Sequence, residues 1–435
     1  MTEKGNVKVE LSAVGRRRLE LDFSAGQVSS DGGAVLLREV DLATRLTERL
    51  ALCFSDHRRH ELLEHTVQQL LVQRIYGLVL GYEDRGDHDL LCRDPLLASM
   101  AGKEDPEGDK RRMPKDRGRG LASASTLGRL ERTKASANED SRYDKIVCDF
   151  DALRETLVQL FVESFESAPE RLVLDIDPSD VELHGQQEER FYHGYYRHHC
   201  YLPMYLFCGE FPLAVVMRPS NIDGAEGTVE LLSPVVEQLR RAFPDTQVIL
   251  RADSGFCRDE LLTWCEEQGV DYVIGMARNR RLERATATQM EQARREYLQT
   301  GRAARRFRDF KYRTKKTWAR KRRLIGKAEY LGKGANPRYV VTSLSASEFE
   351  KRYVYEVLYL WPAGRWTAAS RSNSSASSGT APAATRSAPT MSAHGSRWPR
   401  ISSSSCSADS ASKAPSGRGR RRARCETGCS RSAPS

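Results

Sequence analysis

The chain of 435 residues lacks the features of several large protein classes. No apolar run approaches the roughly 18 residues of a membrane span, and the polar N-terminus does not resemble a secretory leader. The 10 cysteines include no Cys-x-x-Cys pair, and the closest spacing, Cys425 to Cys429, falls in a low-complexity segment. Scattered cysteines favour reduced thiols over a zinc site or a disulfide framework. These absences predict a soluble, cytoplasmic protein with no membrane partner.

The segment 361–435 lacks the residues that build a core. From residue 362 onward it contains no Leu, Val, Phe or Tyr, and Ser, Ala, Arg, Pro and Gly dominate it. Such a composition cannot bury enough apolar surface to offset the entropy lost when a chain becomes ordered. We therefore predict a disordered, low-complexity tail.

The sequence does contain an excess of positive charge. The formal net charge is +10 and the pI is near 9.1, which favours a polyanionic partner, with nucleic acid as the first candidate. The densest stretch, 302–327, interleaves its basic residues with Phe307, Phe310, Tyr312 and Trp318. A charge run is often only a solvated surface, but interleaved aromatic residues favour contact with a DNA backbone and occasional base stacking. The predicted DNA-binding residues are Arg302, Arg305, Arg306, Lys315, Lys316, Arg320, Lys321, Arg322 and Arg323.

Helical periodicity dominates the first part of the chain. Apolar residues recur at helical spacing within 29–100 and again within 125–164. Between them, 102–120 is rich in Gly, Pro and charged residues, which indicates a loop or linker. We predict a helical N-terminal DNA-binding region across 1–165.

The pattern changes at about residue 171 to short β-branched runs that alternate with helical stretches. This predicts an α/β domain over 166–360, with a mixed sheet, flanking helices and a basic insert over 281–330. The predicted strands are Leu172–Ile176, Tyr201–Cys208, Leu213–Met217, Gln247–Leu250, Tyr272–Met276 and Arg338–Leu344. The predicted helices between the later strands are Thr228–Phe243 and Asp259–Gln268.

Aspartates follow two of these apolar runs. Asp175 and Asp177 end the first run, and Asp253 follows the second, before Ser254 and Gly255. Carboxylates on neighbouring strands can hold two divalent ions about 3.5–4 Å apart and catalyse phosphoryl transfer, so all three are candidate metal ligands. The alternative for Asp253 is a turn or helix-capping role. Alternation places Asp175 and Asp177 on one strand face, and we favour Asp177 because it is nearer the strand end.

Histidines cluster between these aspartates, in His184–Glu188 and His193–Cys200. Their spacing lacks the paired motif of a structural zinc site. A polar loop beside the aspartates is the favoured interpretation.

Several segments together resemble a known family. They are Arg171–Asp177, His184–Glu188, Phe191–Tyr196, Tyr201–Tyr205, Arg218–Asp223, Arg251–Phe256 and Asp271–Gly275. As a set they resemble bacterial insertion-sequence transposases of the DDE type, group one, from about Leu21 to Tyr359.

The resemblance implies a ribonuclease-H-like catalytic fold that depends on Mg²⁺, for which Mn²⁺ can substitute. It implies cut-and-paste DNA transposition, with double-stranded DNA as partner (terminal inverted repeats and target DNA) and a homo-oligomer assembled on it. The first two catalytic aspartates of the family map to Asp177, with Asp175 in reserve, and to Asp253.

The third carboxylate of the family lies on a helix after a Tyr-rich approach. This chain has the approach, Tyr353–Tyr359, and then departs from the family pattern. A frameshift explains the departure: codons chosen for Trp366 onward and read one base off can yield Val-Asp-Ser-Arg-Ile-Lys-Lys-Gln-Gln-Leu, which resembles the missing helix. Only Glu348, Glu350 and Glu356 are close enough in sequence to substitute, and Glu356 is the best of them.

The sequence thus predicts a transposase that is defective because it lacks the third acidic residue. One alternative is a non-catalytic DNA-binding protein that occupies transposon ends. Another is a nuclease of the same fold that cuts without requiring those ends.

Overall fold

The computed structural model describes residues 8–22 and 31–360. The tail predicted over 361–435 lies outside the described residues. Within the described ranges, no helix is both long and apolar enough to cross a membrane.

Helices make up most of the regular secondary structure in the N-terminal part. Its helices are α1 (Ala34–Thr44), α2 (Leu46–Ala51), α3 (Val67–Val79), α4 (His88–Leu91), α5 (Pro95–Met100), α6 (Ala124–Arg132) and α7 (Phe150–Glu163). Helix α3 begins where it does because Thr66 and Gln69 form a capping box, each side chain accepting from the backbone N–H of the other.

This part also contains strands that the periodicity did not predict. They are β1 (Lys8–Val14), β2 (Arg17–Asp22), β3 (Phe54–Asp56) and β4 (Ile146–Cys148). The first two form an antiparallel hairpin, and β3 pairs with β4. Strands β3 and β4 have three residues each and are too short to show a period of two, so sequence patterns miss them.

The segment 102–120 forms a loop that contains no secondary structure beyond a short turn of 3₁₀-helix. Two glycines close it by letting its two arms touch. A Cβ on Gly108, whose φ is +76°, would lie 2.4 Å from the backbone carbon of Arg119, and one on Gly120 would lie 2.0 Å from the Pro106 oxygen. The loop is therefore ordered by close backbone packing rather than by apolar burial of its own.

The second part is built on one eight-stranded mixed sheet. Its strands are β5 (Arg171–Pro178), β9 (Met204–Cys208), β10 (Phe211–Val216), β11 (Gln247–Ala252), β12 (Asp271–Met276), β13 (Ala304–Tyr312), β14 (Arg322–Leu331) and β15 (Gly334–Thr342), in the spatial order β10-β9-β5-β11-β12-β15-β14-β13. Strands β5, β11 and β12 are parallel to one another, and the remaining neighbours pair antiparallel.

The predicted strands in this part are confirmed, with two differences. The one predicted over 201–208 breaks at Leu202 and Pro203, so that β8 (His198–Tyr201) joins a small three-stranded sheet with β6 (Val181–Glu182) and β7 (Phe191–His193). The basic stretch 302–327 supplies β13, which is one edge strand of the main sheet, and the start of its neighbour β14. The many Arg and Lys residues there hide the alternation of apolar and polar residues that would have predicted these strands.

Helices cover both faces of the sheet. They are α8 (Thr228–Ala242), α9 (Asp259–Glu267), α10 (Arg280–Ala285), α11 (Ala287–Thr300) and α12 (Lys351–Tyr353), which continues as a π-helical segment, Val354–Tyr359. One face of β5 packs Leu174 against α8 and α9. The opposite face packs Val173 against the π-helical segment, and Asp175 and Asp177 share this face because side chains alternate along a strand.

Candidate active site

The parallel pairing of β5 and β11 brings two of the predicted aspartates together. Arg251 pairs with Asp175, and Ala252 pairs with Ile176, so the next step places Asp253 beside Asp177. Both side chains are exposed. The carboxyl ends of parallel strands meet at one sheet edge, where ligands commonly bind.

The two carboxylates interact electrostatically. Desolvation raises the pKa of Asp177 above its ordinary value, and the charges of Asp253 and Asp175 raise it further. Neither oxygen of Asp177 accepts a hydrogen bond from a described residue, and Asp253 accepts only one, at Oδ1 from the Gly255 N–H at 2.7 Å. The turn role predicted as the alternative for Asp253 is therefore present, and its Oδ2 still has no hydrogen-bond donor among the described residues. Like charges held this close favour a bound cation.

The raised pKa of Asp177 predicts a pH-dependent stability effect. A carboxyl whose pKa is higher in the folded state destabilises the fold when ionised, and this penalty disappears as the pH falls through that raised pKa. Asp177→Asn should therefore raise the Tm at pH 7 by at most about 2 °C, and the gain should vanish under acid conditions. Thermal unfolding from pH 7 to pH 3 measures this, and an equal gain at every pH would contradict it.

Asp175 forms an ion pair with Arg251 and is therefore not free to bind a metal ion. Its two carboxylate oxygens accept from the guanidinium of Arg251, with Nη2 to Oδ2 at 2.6 Å. The side chains of Arg251 and Asp175 are only 9% and 19% exposed. Arg251 also donates from Nη1 to the Leu358 carbonyl at 3.1 Å, which ties both strands to the π-helical segment. As a metal ligand, Asp175 would have to give up this bidentate pair.

The structure does not bring Glu356 to the aspartates. Its carboxylate accepts from Arg305 at 2.8 Å and from Arg352 at 2.6 Å. Although desolvation acts to raise it, these hydrogen bonds hold the pKa of Glu356 below its ordinary value. Arg305 lies on β13, four strands away from β11, or roughly 19 Å at the usual strand spacing. Glu348 and Glu350 are exposed just before the same helix.

Two carboxylates therefore define the candidate metal site. Among residues 8–22 and 31–360, no three or more His, Cys, Asp or Glu side chains assemble into a group that could hold a metal. Carboxylate oxygens suit Mg²⁺, which one or two carboxylates commonly bind together with water and substrate phosphate. The pair fits one such ion, and a two-metal site needs a further ligand.

A cavity of about 810 Å³ adjoins Asp253 on the face of the π-helical segment. Its lining includes Ser254, Gly275, Tyr359 and Leu360. Glycine is needed at 275 because a Cβ there would lie 2.6 Å from the Tyr359 hydroxyl and 2.8 Å from the Ser254 nitrogen. Burial raises the pKa of Tyr359, and the charge of Asp253 adds to the rise. The π-helical segment thus reaches the aspartate pair through Tyr359.

Sequence reasoning did not single out Tyr359 or Gly275 as parts of the site. Two sequence signals could have found them. Tyr359 ends the Tyr-rich segment Tyr353–Tyr359, and Gly275 lies near the end of β12, a strand parallel to β11. The β12 register, Ile274 beside Ala252, places Gly275 next to Asp253.

The histidine-rich stretch borders the same edge of the sheet. It supplies β7 and β8, which form the small sheet together with β6, and His198 Nε2 on β8 donates to Asp180 Oδ2, just before β6, at 2.8 Å. Desolvation raises the pKa of Tyr196, and the charges of Asp180 and Asp177 add to the rise. The stretch therefore lies near Asp177, where a polar loop was predicted, and it is partly strand.

Most arginines of the predicted DNA-binding run have intramolecular partners. Arg322 is buried and pairs with Asp259 and Glu266, and Arg323 pairs with Asp309. The remaining paired members and their partners are Arg305 with Glu329 and Glu356, Arg306 with Glu296, and Arg320 with Glu266. Arg302, Lys315, Lys316 and Lys321 are exposed, and none of them forms an ion pair with a described residue.

Base stacking by the aromatic residues of this run is contradicted for two of the four. Tyr312 and Trp318 are only 8% and 5% exposed, and their rings pack edge to face in the core. Phe307 and Phe310 are partly buried against the two faces of the sheet. Phe307, Phe310 and Tyr312 lie on the two faces of the sheet because side chains alternate along β13, whereas Trp318 lies before β14 and packs against Tyr312.

Comparison with known proteins adds one finding. A family model described as transposase DDE domain group 1 matches residues 11–361, which contain the aspartate pair, the cavity and the whole main sheet. No curated protein matches the chain.

Proposed function

The chain belongs to the transposase DDE domain group 1 family, and we propose that it is the DNA transposase of a bacterial insertion sequence with an incomplete catalytic site. The proposed reaction is cut-and-paste transposition, by metal-dependent cleavage at terminal inverted repeats and strand transfer into target DNA. We expect it to act in the cytoplasm, as a homo-oligomer assembled on DNA. The observation that carries the proposal is the meeting of Asp177 and Asp253 at one sheet edge.

The topology supports a ribonuclease-H-like catalytic domain. Three antiparallel strands, β10, β9 and β5, are followed in the sheet by β11 and β12, which run parallel to β5. Helices pack on both faces, and the two aspartates lie at the ends of adjacent parallel strands. This is the arrangement that the family resemblance implies.

The proposed chemistry is phosphoryl transfer. Mg²⁺ at the pair would lower the pKa of an attacking water or 3′-hydroxyl and stabilise the leaving oxygen. Asp177 and Asp253, at the ends of two rigid strands, would hold the ion at a fixed place. The Gly255 N–H fixes one oxygen of Asp253 and leaves the other available for the ion. The ion pair between Asp175 and Arg251 would keep a third carboxylate from reaching the ion.

The site lacks a third carboxylate among the described residues. We propose that the helix supplying it was lost through a frameshift after Tyr359, which would leave the chain able to bind DNA but defective in transposition. Two aspartates can attract one ion, yet the alignment of nucleophile and leaving group needs more ligands.

The same observation favours a second candidate function. A chain with two metal-binding carboxylates and no third could occupy transposon ends without cutting them. Metal-dependent nicking of DNA separates the candidates, since only the enzyme produces it. Cleavage without a requirement for transposon ends would indicate a nuclease instead.

Metal binding tests the proposed site directly. The full chain should bind Mn²⁺ in a calorimetric titration, and Asp253→Asn should weaken that binding at least about tenfold, because it removes one of two charged ligands. The circular dichroism spectrum should stay unchanged, since Asp253 is exposed.

Asp245→Asn is the matched control. Asp245 is exposed after α8, away from the pair, and its substitution removes the same charge. It should leave Mn²⁺ affinity unchanged. Equal affinities in all three proteins would remove Asp253 from the site.

A further inference from the structure

A strongly basic pocket lies in the helical N-terminal part. It has a volume of about 450 Å³ and is walled by α6, the loop 102–120 and the segments leading into α3 and β4. Seven arginines and one lysine line it, against two acidic residues. These side chains come from separate segments between positions 58 and 145, one of which is the charge-rich loop 102–120.

Most of this charge is not neutralised within the chain. Arg111 pairs with Glu64, and Arg58 pairs with Asp56. Five other lining arginines form no ion pair with any residue in the described ranges; they are Arg59, Arg112, Arg119, Arg129 and Arg142. Guanidiniums gathered in one concavity repel each other and focus a positive field, which an anionic ligand would relieve.

The lining of the pocket includes an exposed aromatic ring. Tyr143 is 56% exposed, and the guanidiniums of Arg129 and Arg142 lie 5.5 and 4.9 Å from its ring centre. The ring holds two guanidiniums in the same pocket wall, and several fixed cations suit the successive phosphates of a DNA backbone better than one small inorganic anion.

Buried polar contacts hold the pocket wall in place. Arg111 contacts His65 at 2.9 Å and donates to the Arg119 carbonyl at 3.0 Å, across the loop that the two glycines close. Behind it, Lys103 donates to Gln69 Oε1 at 2.8 Å. Because these bonds fix the loop before any ligand arrives, binding loses little conformational entropy.

We propose that this pocket binds backbone phosphates of double-stranded DNA, as a contact surface separate from the edge that holds Asp177 and Asp253. This rests on the proposed function, which supplies DNA as the partner. It also specifies which residues of the predicted N-terminal DNA-binding region, 1–165, would contact DNA: these arginines form no ion pair with a described residue, whereas most of the predicted DNA-binding arginines in the run 302–327 do.

The salt dependence of DNA binding tests the proposal. Affinity for a fluorescent 40-base-pair duplex of random sequence is measured by anisotropy between 50 and 300 mM KCl, without divalent ions. The variant Arg59→Ala/Arg112→Ala/Arg142→Ala should flatten the slope of log affinity against log salt by up to about 2.7, since each lost phosphate contact removes about 0.9. These three side chains are exposed, so the fold should tolerate the changes.

The control variant is Arg241→Ala/Arg294→Ala/Arg295→Ala. It removes the same charge from arginines that pair with carboxylates on their own helices, and it should keep the wild-type slope. Equal slopes in the pocket variant and the wild type would overturn the inference, and so would a pocket that binds inorganic phosphate calorimetrically but leaves the DNA slope unaffected. A wild-type chain that does not bind the duplex would overturn the proposed function as well.

Discussion

Replacing Arg251 by Ala should destabilise the fold by about 3–5 kcal/mol, the largest stability effect that we expect from one substitution here. The substitution leaves the Asp175 carboxylate in a largely buried place without its bidentate partner. It also removes the donor to the Leu358 carbonyl, so the π-helical segment loses a link to the sheet. Urea unfolding followed by circular dichroism measures the change as a lower midpoint.

Two comparison variants make this result specific. Arg294→Ala breaks an exposed pair with Glu291 and should cost less than about 1 kcal/mol. The double variant Asp175→Asn/Arg251→Met removes both charges and should be less destabilised than Arg251→Ala alone, because no unpaired charge stays buried. If Arg251→Ala destabilises the fold no more than Arg294→Ala does, Asp175 does not depend on its pair with Arg251. Asp175 would then again be a candidate metal ligand.

The pairing of Asp175 shows where sequence reasoning about the site had to stop. Alternation along the strand correctly put Asp175 and Asp177 on one face, and for that reason could not choose between them. The choice depends on Arg251, a residue 76 positions later in the sequence that faces Asp175 only because β5 and β11 pair in parallel. Strand ends and aspartates could be predicted from local pattern, whereas the partner of each carboxylate depends on the register.

The basic residues also show which features local sequence predicts and which depend on the fold. The density of basic residues predicted a DNA contact at 302–327, in addition to the N-terminal DNA-binding region 1–165, but it does not reveal which cations pair with a carboxylate after folding. Arg322 and Arg323 lie in strand β14 and donate hydrogen bonds to other residues of the same domain. The five unpaired arginines of the N-terminal pocket are scattered along the chain and meet only through the packing of the loop 102–120 against its neighbours.

Excision of donor DNA should be undetectable with the chain as it stands and should appear when the alternate frame is restored after Tyr359. Residues 351–359 form a helix that ends beside Asp253 in the wall of an 810 Å³ cavity, and Glu356 on it is turned away into a pair with two arginines. A third carboxylate contributed by the restored segment would complete the metal ligands. Its absence should cost at least about 100-fold in rate, as misplacement of reacting groups commonly does.

The comparison uses three proteins on one donor plasmid in the presence of Mg²⁺: the chain as given, the frame-restored chain, and the frame-restored chain carrying Asp253→Asn. Because the shifted reading supplies Asp where the family has Glu, a version with Glu at that position is included. Excision by the restored chain that disappears with Asp253→Asn would tie the activity to the aspartate pair. The nucleotide sequence around codons 355–370, read in all three frames, checks the premise independently. Efficient excision by the chain as given would show that two aspartates suffice, or that a residue other than Glu356 completes the site, and the defective-transposase interpretation would then be wrong.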